Sequence, residues 1–301
     1  MTRTRLFHPL TLALLLLAPA MEARAQKSMG QTIPAPTESK PLAPWERLSI
    51  DEKPTTVQVR RSADSKPVPM VIVKRGNLAI TEGDMVVGEH GKTLTGVISM
   101  ENAIRNPQMK WPMVNGKVVV PYEVAAGVPR QQVQALQAAV AEFSQKTCIQ
   151  FVPRTSKDRN YVSVFQGDGC YSYVGCVQQG KQELSLGQGC EFKGTAVHEL
   201  MHALGFYHEQ SRPDRDQYIT VNFQNVESGL EDQFDVCQDC TTQDIPYEYD
   251  SIMHYGAQAF TKNGKATMVP KKAGAKVVEP YDKPGLTALD VKKIHKLYGC
   301  K

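Results

Sequence analysis

No cysteine precedes Cys148 in this chain of 301 residues. Disulfide stapling is therefore confined to the C-terminal part, and the seven cysteines gathered there suit an exported chain in an oxidising compartment. No stretch approaches ~20 consecutive apolar residues, which argues against a membrane-spanning helix. Charge of one sign is nowhere concentrated. The formal net charge of +4 comes from interspersed lysines and arginines, so no strip could track a phosphate backbone and nucleic acid is not an expected partner. Asn-x-Ser/Thr acceptors are missing too, which removes one sign of a glycosylated protein. What is present, 41% hydrophobic and 22% charged residues, is the composition of a globular protein with room for one sizeable domain and an extra segment.

The extra segment lies at the N-terminus. Arg3 and Arg5, an apolar stretch from Leu10 to Pro19, and the small-residue pattern Ala23-Arg24-Ala25 follow the order of a secretory signal peptide over residues 1–25. The chain is thus expected to be secreted to the extracellular space, with no stable membrane anchor. From Gln26 to about Asp64, Pro, Ser, Thr and Lys replace large apolar residues, which predicts an extended linker with no core. Val71-Ile72-Val73 and Leu78 to Val87 are modestly apolar without helical period and read as a propeptide that packs on something else.

The compact domain is expected to begin between Glu101 and Trp111. Val133, Leu136, Val140 and Phe143, spaced three and four apart behind Val128-Pro129, predict its first helix. Short β-rich runs surround it: Val118 to Val120, Cys148 to Val152, Tyr161 to Phe165, and Glu183 to Leu186. The fold class is α+β.

The chemistry is concentrated in His198-Glu199-Leu200-Met201-His202-Ala203-Leu204-Gly205-Phe206-Tyr207-His208. On a helix, His198 and His202 project from one face and can hold one ion. Glu199 lies beside that ridge, where it can take a proton from a metal-activated water and return it to a leaving amine. Gly205 lets the chain turn sharply out of the helix, so that His208 can come back to the same ion. Three neutral imidazoles favour zinc, one ion per chain, and leave a fourth position open, as a catalytic site requires. A lone histidine would be an ordinary surface or core residue. Three at this spacing, with Glu and Gly in place, point to a metal site.

The run from Gly205 to Asp216 closely resembles the astacin family of metzincins. Ser251-Ile252-Met253-His254-Tyr255 resembles that family's methionine turn, and Cys148 to Thr155 and Tyr171 to Gly175 extend the likeness over about two thirds of the chain. The resemblance implies a two-subdomain catalytic domain over 106–301, a small mixed sheet with helices above the active-site cleft and an irregular lower subdomain, hydrolysing internal bonds of protein or peptide substrates. It makes His198, His202 and His208 zinc ligands, Glu199 the general acid/base and Met253 a floor beneath the metal. Tyr255 becomes a distant fifth ligand that swings out to hydrogen-bond the oxyanion. Glu209 would bind the new amino terminus after propeptide removal. Pro280, in the segment lining the first primed pocket, stands where members preferring acidic side chains carry a basic residue, so a small or neutral preference is expected. Disulfides are implied for Cys148–Cys300 and Cys170–Cys190. Cys176, Cys237 and Cys240 depart from the minimal pattern. A Cys237–Cys240 bridge would close a small loop, and the odd thiol leaves intermolecular linkage open. The competing class, a catalytically silent zinc module, has no need of Glu199 or Tyr255.

Latency is implied by Glu82-Gly83-Asp84 within the propeptide, residues 26–105. Family propeptides carry an aromatic-x-Gly-Asp motif whose aspartate takes the open zinc position, although Thr81 stands here where the aromatic is usual. Asp84 is thus an expected zinc ligand in the zymogen only. An activating protease would cut after Arg105, with Lys110 as the alternative.

Overall fold

Short β-branched runs become strands in the computed structural model, which describes residues 53–59, 68–89, 103–104, 107–237 and 240–300. All belong to one compact unit. The strands are β1 (Thr55–Val59), β2 (Val68–Arg75), β3 (Leu78–Thr81), β4 (Met85–Glu89), β5 (Met113–Val114), β6 (Lys117–Val124), β7 (Ile149–Pro153), β8 (Tyr161–Phe165), β9 (Cys170–Tyr173), β10 (Lys181–Leu186), β11 (Ile219–Val221) and β12 (Met268–Pro270). The helices are α1 (Arg130–Lys146), α2 (Lys193–Ala203) and α3 (Ala288–Tyr298). The signal peptide and the Arg105 cut site lie outside the described residues.

One mixed sheet runs β1-β2-β3-β4-β9-β10-β8-β6-β5, with β7 also on β6. Strands β7, β6, β8 and β10 pair parallel, as strands linked by long crossovers must, whereas β9 is antiparallel to β10. The first four strands form an antiparallel meander that joins β9 in parallel register, Met85 opposite Ser172 and Val86 opposite Tyr173. The region read as a packing propeptide therefore extends the domain's own sheet.

Here two expectations need correction. The linker does not run unbroken to Asp64, because Thr55–Val59 alternates well enough to pair with β2 and bury Val59. The second is finer: α1 forms where its spacing predicts and buries Leu136 and Phe143, but Gln132, Ala135, Ala139 and Glu142 complete its buried face while Val133 and Val140 are only partly buried. α1 packs on α2, and the small alanines allow that approach where valines would hold the helices apart.

The main core lies between sheet and helices, where Val118, Val120, Ile149, Val162, Val164 and Leu184 face Leu136, Phe143, Val197 and Leu200. A second cluster (Ile219, Val226, Phe234, Tyr247, Tyr255, Phe260 and Met268) fills the lower, irregular region. Disulfides close Cys148–Cys300, tying β7 to the end of α3, and Cys170–Cys190, tying β9 to the approach to α2. Cys237–Cys240 forms as well. Cys176 is the free thiol and is 1% exposed, so it offers no sulfur for linkage between molecules. No helix among the described residues is long and apolar enough to cross a membrane.

Packing onto the domain begins at Ala103, which bridges Phe206, and at Ile104, whose N–H donates to the Gly205 carbonyl at 2.9 Å. Lys110, the alternative cut site, is anchored: its Nζ donates to the Leu297 carbonyl at 2.8 Å, and neighbouring Trp111 is buried with its indole N–H on the Ala203 carbonyl.

Candidate metal centre

α2 is buried along its whole length from Gly194 to Ala203, so every polar side chain on it must find a partner inside the protein. The helix stops because Gly205 turns with φ +103°, and a Cβ there would also lie 2.6 Å from the Ile104 side chain. Glycine satisfies both demands. The chain then leaves in extended form and brings His208 alongside His198 and His202.

The three imidazoles converge through their Nε2 atoms. His198 Nε2 lies 3.1 Å from His202 Nε2 and 3.3 Å from His208 Nε2. Each Nδ1–H donates elsewhere: His198 to the Ile252 carbonyl (2.8 Å), His202 to the Phe206 carbonyl (2.7 Å) and His208 to Glu82 Oε2 (2.8 Å). These bonds set the tautomers and turn three lone pairs toward one point. From the β3–β4 hairpin Asp84 enters the same point, its carboxylate 3.0 Å from His198, 3.1 Å from His208 and 3.4 Å from His202. The four ligand atoms lie within 4.8 Å of one another and all four residues are buried.

Such lone pairs repel unless a cation sits among them. A tetrahedral zinc ion with bonds of ~2.0–2.1 Å separates its ligand atoms by roughly 3.3 Å, so this donor set fits that ion. Burial alone would raise the Asp84 pKa, but the surrounding imidazoles, His208 foremost, hold the carboxyl well below the usual carboxylate range.

The other expected residues gather around this point. Glu199 is fully buried on α2, near enough for its charge to act on Tyr255. The Tyr255 ring lies 4.4 Å from that of His208, and its hydroxyl donates to the Glu82 carbonyl at 2.8 Å. Burial, then the charge of Asp84, keep that hydroxyl protonated well above its ordinary range. Met253 is buried in the turn whose Ile252 carbonyl orients His198, and its own carbonyl accepts the Glu209 N–H at 3.0 Å. Pro280 opens a short 3₁₀ turn against the start of α2, where its carbonyl would lie 2.0 Å from a Cβ on Gly194. Glu209 is already engaged: Oε1 accepts from Arg212 (3.0 Å) and the Glu248 N–H (3.0 Å), and Oε2 from Lys293 (2.6 Å).

The peptidase family described as Astacin matches residues 103–299. The chain belongs to the astacin family. Its members are zinc metalloendopeptidases, and one zinc ion is the cofactor that the three histidines of this astacin are built to hold. It is 43% identical to "Zinc metalloproteinase nas-15" of Caenorhabditis elegans over 71% of this chain, but spans only 36% of that relative's length. It is 40% identical to "Astacin-like metalloprotease toxin 1" of Loxosceles intermedia, covering 74% of this chain and 82% of that one. Among solved structures, High choriolytic enzyme 1, a hatching enzyme zinc-protease from Oryzias latipes, superposes with TM-score 0.62 at 36% identity, covering 66% of this chain and all of that one (100%).

Several site residues of this astacin were not singled out from sequence. Asp290 accepts from the Ser251 hydroxyl (2.6 Å) and the Ile252 N–H (2.9 Å) while closing a capping box with Thr287, so it joins α3 to the methionine turn. Thr287-x-x-Asp290 was the available signal. Gln210 Oε1 accepts the Tyr255 N–H at 3.0 Å. Lys283, pushed down to about 8 by burial, donates to the Ser251 carbonyl (2.8 Å) and to that of His254. His254 is driven down to about 3 by burial and Lys283; it stays neutral and accepts the Tyr247 hydroxyl at 2.6 Å. Nothing in the sequence near these residues signals such distant pairings.

Proposed function

We propose that this astacin is made as a secreted, latent precursor of a zinc-dependent endopeptidase and cuts internal peptide bonds of proteins once residues 26–105 are removed by another protease. The carrying observation is the Asp84 carboxylate, at 3.0 to 3.4 Å from all three histidine nitrogens, in the position an activated water and a substrate carbonyl need. His198, His202 and His208 hold the zinc, which when bound supplies Lewis-acid polarisation of the scissile carbonyl. Glu199 takes the proton of the attacking water and delivers it to the leaving amine. Tyr255, protonated and freed from the Glu82 carbonyl, donates to the oxyanion as charge develops there.

Residues 1–25 direct export, and 106–301 carry the catalysis without a membrane anchor. Cleavage after Arg105 frees an amino terminus for Glu209, where it joins or displaces the Lys293 ammonium. N-terminal sequencing of active enzyme checks the cut, and a start before Glu101 or after Trp111 refutes it. Pro280 supports a small or neutral side chain in the first primed pocket, to be read by cleavage profiling on a peptide library.

The test of latency uses an uncut precursor, blocked by Arg105→Gln, with and without Asp84→Ala. The parent is expected to be silent toward a quenched peptide and the variant active in a chelator-sensitive manner. Equal silence, with unchanged metal coordination, refutes the assignment.

A further inference from the structure

The three ligands differ in who holds them. His198 and His202 are oriented by carbonyls of Ile252 and Phe206, which belong to the region matched by the family, residues 103–299. His208 is oriented by Glu82, 126 residues upstream and on the hairpin that the latency reading removes. Glu82 is 5% exposed and stands at φ +48°, a region that non-glycine residues occupy only when their contacts impose it. Those contacts are three. Its Oε2 accepts the His208 Nδ1–H (2.8 Å) and the Ser211 hydroxyl (2.6 Å), and its carbonyl accepts the Tyr255 hydroxyl (2.8 Å). Gly83 follows at φ +90°, where a Cβ would lie 3.3 Å from that hydroxyl and 3.2 Å from Phe260, so the hairpin tip is fitted to the Tyr255 ring.

We propose that Glu82 is a second anchor of the latch, distinct from Asp84: its carboxylate orients His208 and its carbonyl engages the Tyr255 hydroxyl that an oxyanion would need. This rests on the reading that the hairpin leaves on activation. Asp84 blocks the place of the water, while Glu82 occupies the oxyanion donor and orients the one histidine ligand whose Nδ1 partner lies upstream of the family-matched region. An imidazole paired with a carboxylate is the more basic ligand, so the precursor holds its metal more tightly than the mature enzyme. Losing both carboxylates that touch the imidazoles makes the open site more positive toward incoming oxygen atoms, with Glu199 a buried acidic group that stays.

The experiment uses full-length Arg105→Gln precursor loaded with Co(II), as parent, Glu82→Ala, Glu82→Gln and Asp84→Ala. Acetohydroxamate binding is read from the visible spectrum, and metal affinity from competition with a chelating indicator. Glu82→Ala is expected to lower metal affinity by on the order of 10- to 100-fold and to admit acetohydroxamate more readily than the parent. Glu82→Gln, whose amide oxygen still accepts from His208, falls between. Cleavable versions of all four release the same mature chain, so equal specific activity after activation shows that each folded. If Glu82→Ala matches the parent while Asp84→Ala opens, Glu82 is a turn residue and the proposal fails with the Asp84 latch intact. If neither opens, both fail.

Discussion

Three of the metal-facing side chains come from eleven consecutive residues, 198–208, and the fourth comes from a hairpin 114 residues before His198. The first set depends on a buried helix and one glycine turn. Of its three imidazoles only His208 takes its Nδ1 partner from upstream. The hairpin tip depends on the β4–β9 pairing and on hydrogen bonds to His208, Ser211 and Tyr255. It holds only while the upstream chain remains. On the proposed activation, the catalytic groups reside on the part that stays and the inhibitory groups on the part that leaves.

This division can be broken from the catalytic side first. Glu199→Gln keeps size and packing but removes the base, so activated enzyme is expected to lose roughly 10²- to 10⁴-fold in kcat with its zinc retained. Turnover assays with metal analysis check both halves, and near-normal proteolysis would place the base elsewhere. A somewhat smaller loss, on the order of 10² to 10³, is expected for Tyr255→Phe, in kcat and with little change in KM. If KM rises while kcat holds, Tyr255 binds substrate instead. The smallest effect tests the support beneath the site. Thr287→Ala removes the cap that shares Asp290 with the methionine turn, and should cost about 1 kcal/mol in urea denaturation without altering zinc binding.

The helix-borne set was legible because a helix converts spacing into direction: residues four apart must share a face, and Gly205 announced the turn. Four of the catalytic region's strands, β6, β7, β8 and β10, were legible as short apolar runs, whereas β5, β9, β11 and β12 were not read. Asp84 was found only through family likeness, since Gly-Asp by itself marks any turn. Gln210, Lys283 and Asp290 went unnoticed, and Glu82 was read only as part of the turn before Asp84, for a common reason. Each acts on a partner far along the chain, and local pattern carries no record of which distant group a buried polar side chain will meet. β1 was missed similarly: Thr55–Val59 becomes a strand because β2 offers it a partner. The α1 helix was legible from its spacing, but hydrophobicity pointed to Val133 and Val140 where Ala135 and Ala139 are the more deeply buried.

The parallel union of β4 with β9 reaches beyond the active site. While residues 84–86 are in place, the Ser172 N–H is engaged by the Asp84 carbonyl at 2.9 Å, and β9 is covered at Ser172 and Tyr173. Stripping the upstream strands away exposes a row of backbone donors and acceptors to any extended peptide, other copies of the same molecule included. On the proposed activation, the cut that arms the protease would thus also open a sheet edge to which peptides, its own kind included, can add.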